Sequence, residues 1–325
     1  MERIAAIIAC MLVCCVVGAQ QASDHLYVVI VNGGMNKLMN HERYWNDCAF
    51  LYRTLRHRYQ LPKEHIAVLM SDGGDPVQDM LRDDATGFAS SPSDLDGDGE
   101  RDVWTAATLT SVDSTMTSLA QRLTGSDHLF LFMLDHGGSN DGWQSSYVWM
   151  WGSERLSDTA LSAMLGRFRV ATVCVVMGQC YSGGFIDNLA GPGRIVMTAC
   201  RGDESSWNCW NKPYDEFVYR WTCAIAGADE EGIPVLADSD GDGMVTMAEA
   251  FDYAKSHDER AETPQYSSTP EMLGRQWSFG GLAGDGIKRL EVDADVEAQG
   301  YDLRGWRLTD RSPLRLVNGK KVLNH

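Results

Sequence analysis

Five short apolar runs constrain this chain more than any other feature: Leu26 to Val31, Ile66 to Met70, Leu129 to Leu134, Val170 to Met177 and Ile195 to Ala199. Each is too short for a core helix and too continuous for a strand with one wet face, so each reads as a strand covered on both sides. Helix-length segments lie between them. Glu42 to Arg58 carries Tyr44, Trp45, Cys48, Phe50 and Leu51 at helical spacing, and Asp113 to Leu123, Asp158 to Phe168 and Tyr214 to Ile225 behave alike. Strands alternating with helices predict one α/β domain, a mostly parallel central sheet flanked by helices on both faces. Ligands of such sheets bind beyond the carboxyl ends of the strands, which directs attention to the residues after Leu134 and Met177.

The ends read differently from the middle. Glu2 and Arg3 precede an apolar run from Ile4 to Val17, and Val17 and Ala19 supply the small residues of a signal-peptide cleavage site, so residues 1–19 read as an export signal. The run is shorter than the roughly 20 apolar residues of a membrane span. The expected location is periplasmic, cell-surface or extracellular. Removal of the signal leaves Cys48, Cys174, Cys180, Cys200, Cys209 and Cys223. An even count in an exported protein permits disulfides, but the spacings form no dense framework, and Cys174 inside an apolar run predicts a packed thiol. The folded domain is expected over 20–274. In the tail, 275–325, Tyr301-Asp302-Leu303-Arg304-Gly305-Trp306-Arg307 and Leu316-Val317-Asn318-Gly319-Lys320-Lys321-Val322 resemble the sorting signals that end many secreted proteins of the Bacteroidetes, which would make secretion machinery a partner; the segment also reads as a small β-hairpin turning at Asn318-Gly319.

Two short sequences follow buried strands and carry chemistry: Asp135-His136-Gly137-Gly138 and Gly178-Gln179-Cys180-Tyr181-Ser182-Gly183-Gly184. A thiol near its reference pKa of about 8.5 is mostly protonated at neutral pH, so a nucleophilic Cys180 needs a base such as His136. Glycine beside each lets a substrate backbone approach, and the amides of Gly137 and Cys180 are oxyanion-hole candidates worth roughly 3 kcal/mol per donor. These residues favour a thiol hydrolase without fixing the bond cleaved. Formal charge of -17 excludes polyanionic partners such as nucleic acid.

A strand ending in His136-Gly137, followed about 40 residues later by one ending in Cys180 with Ser-Gly after it, resembles the caspase, legumain and gingipain clan of cysteine peptidases. Within it the legumain family fits best, through Ile195 to Ala199 followed by Asp203-Glu204-Ser205-Ser206-Trp207, and through Thr263-Pro264-Gln265-Tyr266. The resemblance covers Leu26 to Gly274 and implies a caspase-like sandwich, a protein or peptide substrate and a polar S1 pocket. Ser205 and Ser206 match that pocket, Asp215 fits its later aspartate, and Arg43 stands about one residue out of register. Gly178 replaces the acidic residue two before the cysteine. With that acid gone, cleavage after Asn is no longer implied, and an unpaired Asp215 would favour a basic P1 side chain.

The most specific motif is Asp238-Ser239-Asp240-Gly241-Asp242-Gly243-Met244-Val245-Thr246-Met247-Ala248-Glu249. Carboxylates stand at positions 1, 3 and 5, glycine at 6, a carbonyl donor at Met244, then Thr246 and Glu249, which is the EF-hand pattern for calcium. Thr246 and Glu249 also form a capping box for the helix that follows. Pro234 stands where an entering helix would be, so a structural half EF-hand is expected rather than a switch. Asp94, Asp96, Asp98, Glu100 and Asp102 repeat the pattern, but Thr105 replaces the last acid. Neither loop offers the ligands of a catalytic zinc. The sequence thus reads as a calcium-stabilised cysteine endopeptidase. A transpeptidase or ligase with the same dyad, and a calcium-dependent binding module without catalysis, remain the alternatives.

Overall fold

The computed structural model describes residues 24–282 except 84, 85, 141, 143 and 144, together with the backbone of Leu314–Val317 and Lys320–Leu323. The expected signal peptide and most of the tail lie outside the described residues.

The strands of three or more residues between 24 and 282 are β1 (Leu26–Asn32), β2 (Ile66–Met70), β3 (Val103–Thr105), β4 (His128–Leu134), β5 (Gly137–Asn140), β6 (Ser145–Met150), β7 (Glu154–Ser157), β8 (Thr172–Met177), β9 (Arg194–Thr198) and β10 (Gln265–Thr269). Seven build the central sheet in the order β10-β9-β8-β4-β1-β2-β3. All neighbours are parallel except β10, which runs antiparallel to β9. The helices of eight or more residues are α1 (Glu42–Arg53), α2 (Leu109–Arg122), α3 (Asp158–Leu165), α4 (Glu216–Ala226) and α5 (Met247–His257). Alternate strand residues feed two cores. Val28, Ile30, Phe130, Phe132 and Val176 pack against α1, α4 and α5, while Val29, Val31, Leu131, Met133 and Val175 pack against α2 and α3. That two-sided burial explains why the strands read as unbroken apolar runs. Phe130 stacks on Trp221 at 5.6 Å, and burying each ring is worth roughly 2–3 kcal/mol. The molecule is the caspase-like α/β sandwich that the alternating pattern and the resemblance imply.

Departures from the sequence reading have local causes. The first helix widens after Arg53 and continues as a π turn over Thr54–Arg58, where the Thr54 hydroxyl donates back to the Phe50 carbonyl (2.9 Å). α2 starts earlier than expected because the Thr108 side chain accepts the Ser111 N–H (3.1 Å). The hairpin β5–β7 and the edge strand β10 escaped the pattern because Gly137-Gly138-Ser139-Asn140 and Gln265–Thr269 are polar or half exposed. All six cysteines of the described residues are unbridged, and burial pushes the Cys174 thiol pKa well up.

The described part of the tail belongs to a unit of its own. In it Leu314–Val317 pairs antiparallel with Lys320–Leu323, with Asn318 and Gly319 between them.

Candidate active site

β4 and β8 lie side by side with Met133 opposite Met177, so His136 and Cys180 each stand three residues beyond a paired position. Adjacent strands are roughly 4.8 Å apart, and equal offsets keep the two residues at the same edge. The approach there is tight. A Cβ built on Gly137 would lie 2.0 Å from the Cys180 carbonyl oxygen, so only glycine lets the two strand ends meet. The Gly178 N–H donates to the Met133 carbonyl (2.9 Å), and Tyr181 adopts a left-handed φ of 60° to turn the chain into the following 3-10 helix.

The imidazole of His136 is held by α1 and the segment before it. Nε2 lies 3.2 Å from the Met39 carbonyl and 3.3 Å from the Tyr44 hydroxyl. A carbonyl only accepts, so Nε2 carries the proton and Nδ1 is left as the basic nitrogen. Burial, helped by the nearby His41 and Arg43 charges, pushes the His136 pKa down to about 4. The Cys180 thiol donates to the Ser206 carbonyl (3.6 Å), and the Ser206 N–H donates to its sulfur (3.3 Å). Burial raises the thiol pKa, partly opposed by the Ser206 N–H and the Ser205 side chain. The resting pair is therefore a neutral thiol and a neutral imidazole. Among the described residues both side chains bond to their flanking loops and not to each other. The Trp149 N–H donates to the His136 carbonyl (2.9 Å), so Gly137 opposite Val148 is the non-bonded rung and its N–H points out of the ladder.

Arg43, which the sequence placed slightly out of register, meets Asp215. Its Nε donates to Asp215 Oδ1 (2.8 Å), a terminal nitrogen donates to the Tyr44 hydroxyl (3.1 Å), and Asp83 lies at 3.7 Å. Burial works against the guanidinium charge, but Asp215 together with Tyr44 and Asp83 more than offsets it, and the Arg43 pKa is raised. Burial lifts the carboxyl pKa of Asp215 while Arg43 pulls it back, and it lifts that of Asp47, which accepts the Asp215 N–H (3.0 Å). The expectation of an unpaired Asp215 that favours a basic P1 side chain is thus corrected: its charge is already matched by Arg43. Gly178 also has a physical reason. A Cβ there would sit 2.8 Å from Val218 Cγ1 of α4, so an acidic side chain at this position would have to displace Val218.

Several site residues escaped the sequence reading. Tyr44 looked like one more apolar position of α1, His41 lies before it, and Asp135 is fully buried beside His136 with burial raising its pKa well above the carboxylate range. Glu262 sits behind the Ser205-Ser206 loop and accepts the Trp207 N–H (2.9 Å). Burial first and Asp258 second push its pKa up to about 9. Because the folded value is raised, its contribution to stability is complete below the usual carboxyl pKa of about 4.3 and is lost as pH rises toward 9. Thermal unfolding followed from about pH 5 to about pH 8.5 is expected to show a falling Tm that Glu262→Gln largely flattens. Equal slopes in the two proteins would assign the fall to other groups.

The acidic loops repeat one geometry. Asp238 accepts the Gly241 and Gly243 N–H groups (2.7 and 2.9 Å), Asp240 that of Asp242 (3.1 Å) and Asp242 that of Met244 (2.8 Å). In the earlier loop Asp94 accepts Gly97 and Gly99 (2.7 and 2.9 Å), Asp96 accepts Asp98 (3.3 Å) and Asp98 accepts Glu100 (2.7 Å). Carboxylate oxygens of Asp238, Asp240 and Asp242 lie within 4.8 Å of one another, as do those of Asp94, Asp96 and Asp102. Glu249 turns inward, one oxygen accepting from Ser239 and the other from Thr246, which completes the capping box of α5. The earlier loop differs at its end, since Thr105 closes strand β3 and Asp102 already accepts from Lys63 (2.9 Å) and Tyr52 (2.7 Å).

Comparison with known proteins gives one decisive match. No functionally curated protein matches the chain in sequence. The crystal structure of protein GSU0716 from Geobacter sulfurreducens is similar at 13% identity and a TM-score of 0.46, over 79% of this chain and 99% of that one. The peptidase C13 family matches residues 106–273, a span that holds His136, Cys180, the Ser205-Ser206 loop and Asp215. With more than half of its length matched, this chain belongs to the peptidase C13 family, the legumain-type cysteine peptidases.

Proposed function

We propose that the chain is an exported endopeptidase in which Cys180 is the nucleophile and His136 the proton carrier. The observation that carries this reading is the equal three-residue offset of the two side chains from one rung of the sheet, locked by Gly137 against the Cys180 carbonyl. Substrate binding brings a peptide carbonyl to the sulfur. The Cys180 Sγ–carbon bond forms as the thiol proton passes to His136 Nδ1, and the oxyanion is met by the Gly137 and Cys180 N–H groups. Collapse breaks the C–N bond, and the imidazolium gives that proton to the departing amine. Water then attacks the thioester, passing a proton through His136 back to the sulfur and releasing the acid. A pKa of about 4 keeps His136 unprotonated through the neutral range, ready to accept.

The S1 pocket we assign to Arg43, Asp215, Ser205 and Ser206. A guanidinium and a carboxylate already paired offer one donor and one acceptor edge with little net charge, which suits a short polar, uncharged P1 side chain better than a basic one. Cleavage profiling of a diverse peptide library by mass spectrometry, beside Cys180→Ala, tests the whole reading. Cuts after one class of residue that vanish in the variant are expected. Absence of cuts by folded, processed protein would move the assignment to a ligase or a binding module.

Calcium is proposed as a structural cofactor. The donor set of Asp238, Asp240, Asp242, Met244, Thr246 and Glu249 is all hard oxygen, and three of its carboxylates already converge, so the residues fit the ion. Bound calcium would offset their mutual repulsion and tie the 238–249 loop to the start of α5. Asp94, Asp96, Asp98, Glu100 and Asp102 form the second, weaker candidate, because Lys63 already supplies a cation to Asp102. Calcium at about 100 times its Kd is expected to stabilise by about 2.7 kcal/mol, roughly 5–10 °C in Tm for a domain of this size. Calorimetry with calcium and with chelator measures it, and Asp240→Ala should remove most of the difference.

Export rests on the apolar run from Ile4 to Val17 and on the tail. Among the described residues no helix is long and apolar enough to cross a membrane.

A further inference from the structure

The hairpin β5–β7 leaves the sheet directly after His136 and presents a second surface to whatever His136 serves. Its register places Gly137 opposite Val148 and Gly138 opposite Tyr147, and continuing it places His136 opposite Trp149. On β6 burial alternates strictly: Ser146, Val148 and Met150 face the core, while Tyr147 and Trp149 stay half exposed. The next rung pairs Trp149 with Arg155 of β7. The Arg155 guanidinium lies 4.4 Å from the Trp149 ring centre and 4.6 Å from that of Tyr147, and the two rings meet edge to face at 5.3 Å. Tyr147 in turn covers Gly138, where a Cβ would fall 2.3 Å from its hydroxyl. The result is a fixed aromatic platform that runs outward from His136 and ends in an arginine.

Arg155 is exposed, and among the described residues no carboxylate pairs with it, although the chain carries a formal charge of -17. Rings on one side of a guanidinium hold it in place and leave its N–H edge for a carboxylate. The proposed mechanism gives the direction. His136 protonates the departing amine, so the residues after the scissile bond leave across His136 and onto this face. Two strand spacings from His136 to Arg155 make roughly 10 Å, and an extended chain advances roughly 3.3 Å per residue, so the second or third residue after the bond reaches the arginine. We propose that Tyr147, Trp149 and Arg155 form the leaving-side binding surface, with Arg155 selecting substrates that carry Asp or Glu two or three residues after the cleaved bond.

This inference rests on the peptidase reading, and its test separates the two. Pairs of internally quenched peptides, differing only in Glu or Lys at the second and third residues after the cleaved bond, are compared with a peptidyl-aminocoumarin that lacks those residues. The native protein is expected to turn over the Glu peptides with a kcat/KM roughly fivefold higher than the Lys peptides, the scale of one exposed ion pair. Arg155→Glu should reverse that preference and leave aminocoumarin release unchanged, which also shows that the variant is folded. Equal turnover of Glu and Lys peptides by the native protein, or an unchanged preference in Arg155→Glu, overturns the inference. Failure to turn over any of the substrates overturns the peptidase reading instead.

Discussion

Cys180→Ala is expected to lower kcat by about 10⁴ or more, His136→Ala by a comparable factor, and the double variant by no more than the worse single one. The non-additivity follows from the resting state. A neutral thiol whose pKa is raised is a poor nucleophile until a base takes its proton, and the neutral imidazole serves acylation only by carrying that proton from the thiol to the departing amine. Each is useless without the other, so their losses overlap. Both residues sit at a sheet edge and neither fills the core, so all three variants should keep the native Tm within about 1 °C, since changes away from packing cost little. Single-turnover kinetics on the three proteins checks the claim. Losses that multiplied would show that Cys180 and His136 act in separate steps.

Arg43→Ala is expected to be the most damaging single change to the S1 pocket. It leaves the buried Asp215, whose carboxyl is flanked by Asp47, without its cation, and removing one partner of a buried pair costs about 3–5 kcal/mol. For a domain of this size that is roughly 10 °C in Tm. The sign of the pH dependence is fixed. With the guanidinium gone the Asp215 pKa rises further above its unfolded value, so the variant should recover stability as pH falls and lose it as pH rises. Arg43→Lys keeps the charge but loses the fork that reaches both Asp215 and Tyr44, and should fall between the two. Urea unfolding at two pH values measures all three proteins. A pH-independent loss would place the effect in packing instead of charge.

What could be read from the sequence follows from burial. Strands buried on both faces announce themselves as unbroken apolar runs, so the central strands and the edge that holds His136 and Cys180 were legible. The hairpin after His136 was not, since β5 is Gly-Gly-Ser-Asn and the half-exposed positions of β6 are Tyr147 and Trp149, so bulky apolar side chains stand on both faces of β6 and erase the polar alternation. Nor was β10, a half-exposed edge strand without apolar alternation. Within the site, the motif residues were visible because glycine flanks them. Tyr44, Glu262 and the Met39 carbonyl were hidden, because a tyrosine on a helix face, a glutamate in a polar loop and a backbone oxygen carry no signal until the fold brings them to His136 and Ser206. The Arg43 to Asp215 contact spans most of the domain and rests on the α1–α4 packing, which no local pattern encodes.

In the proposed mechanism the reaction passes through a thioester on Cys180. Rapid acid quenching of the native protein with a well-cleaved peptide, followed by intact and fragment mass spectrometry, tests it most directly. The expected result is a transient adduct with the mass of the amino-terminal half of the peptide, located on the fragment that contains Cys180 and absent in Cys180→Ala. Turnover without such an adduct, or an adduct on another residue, would contradict the mechanism.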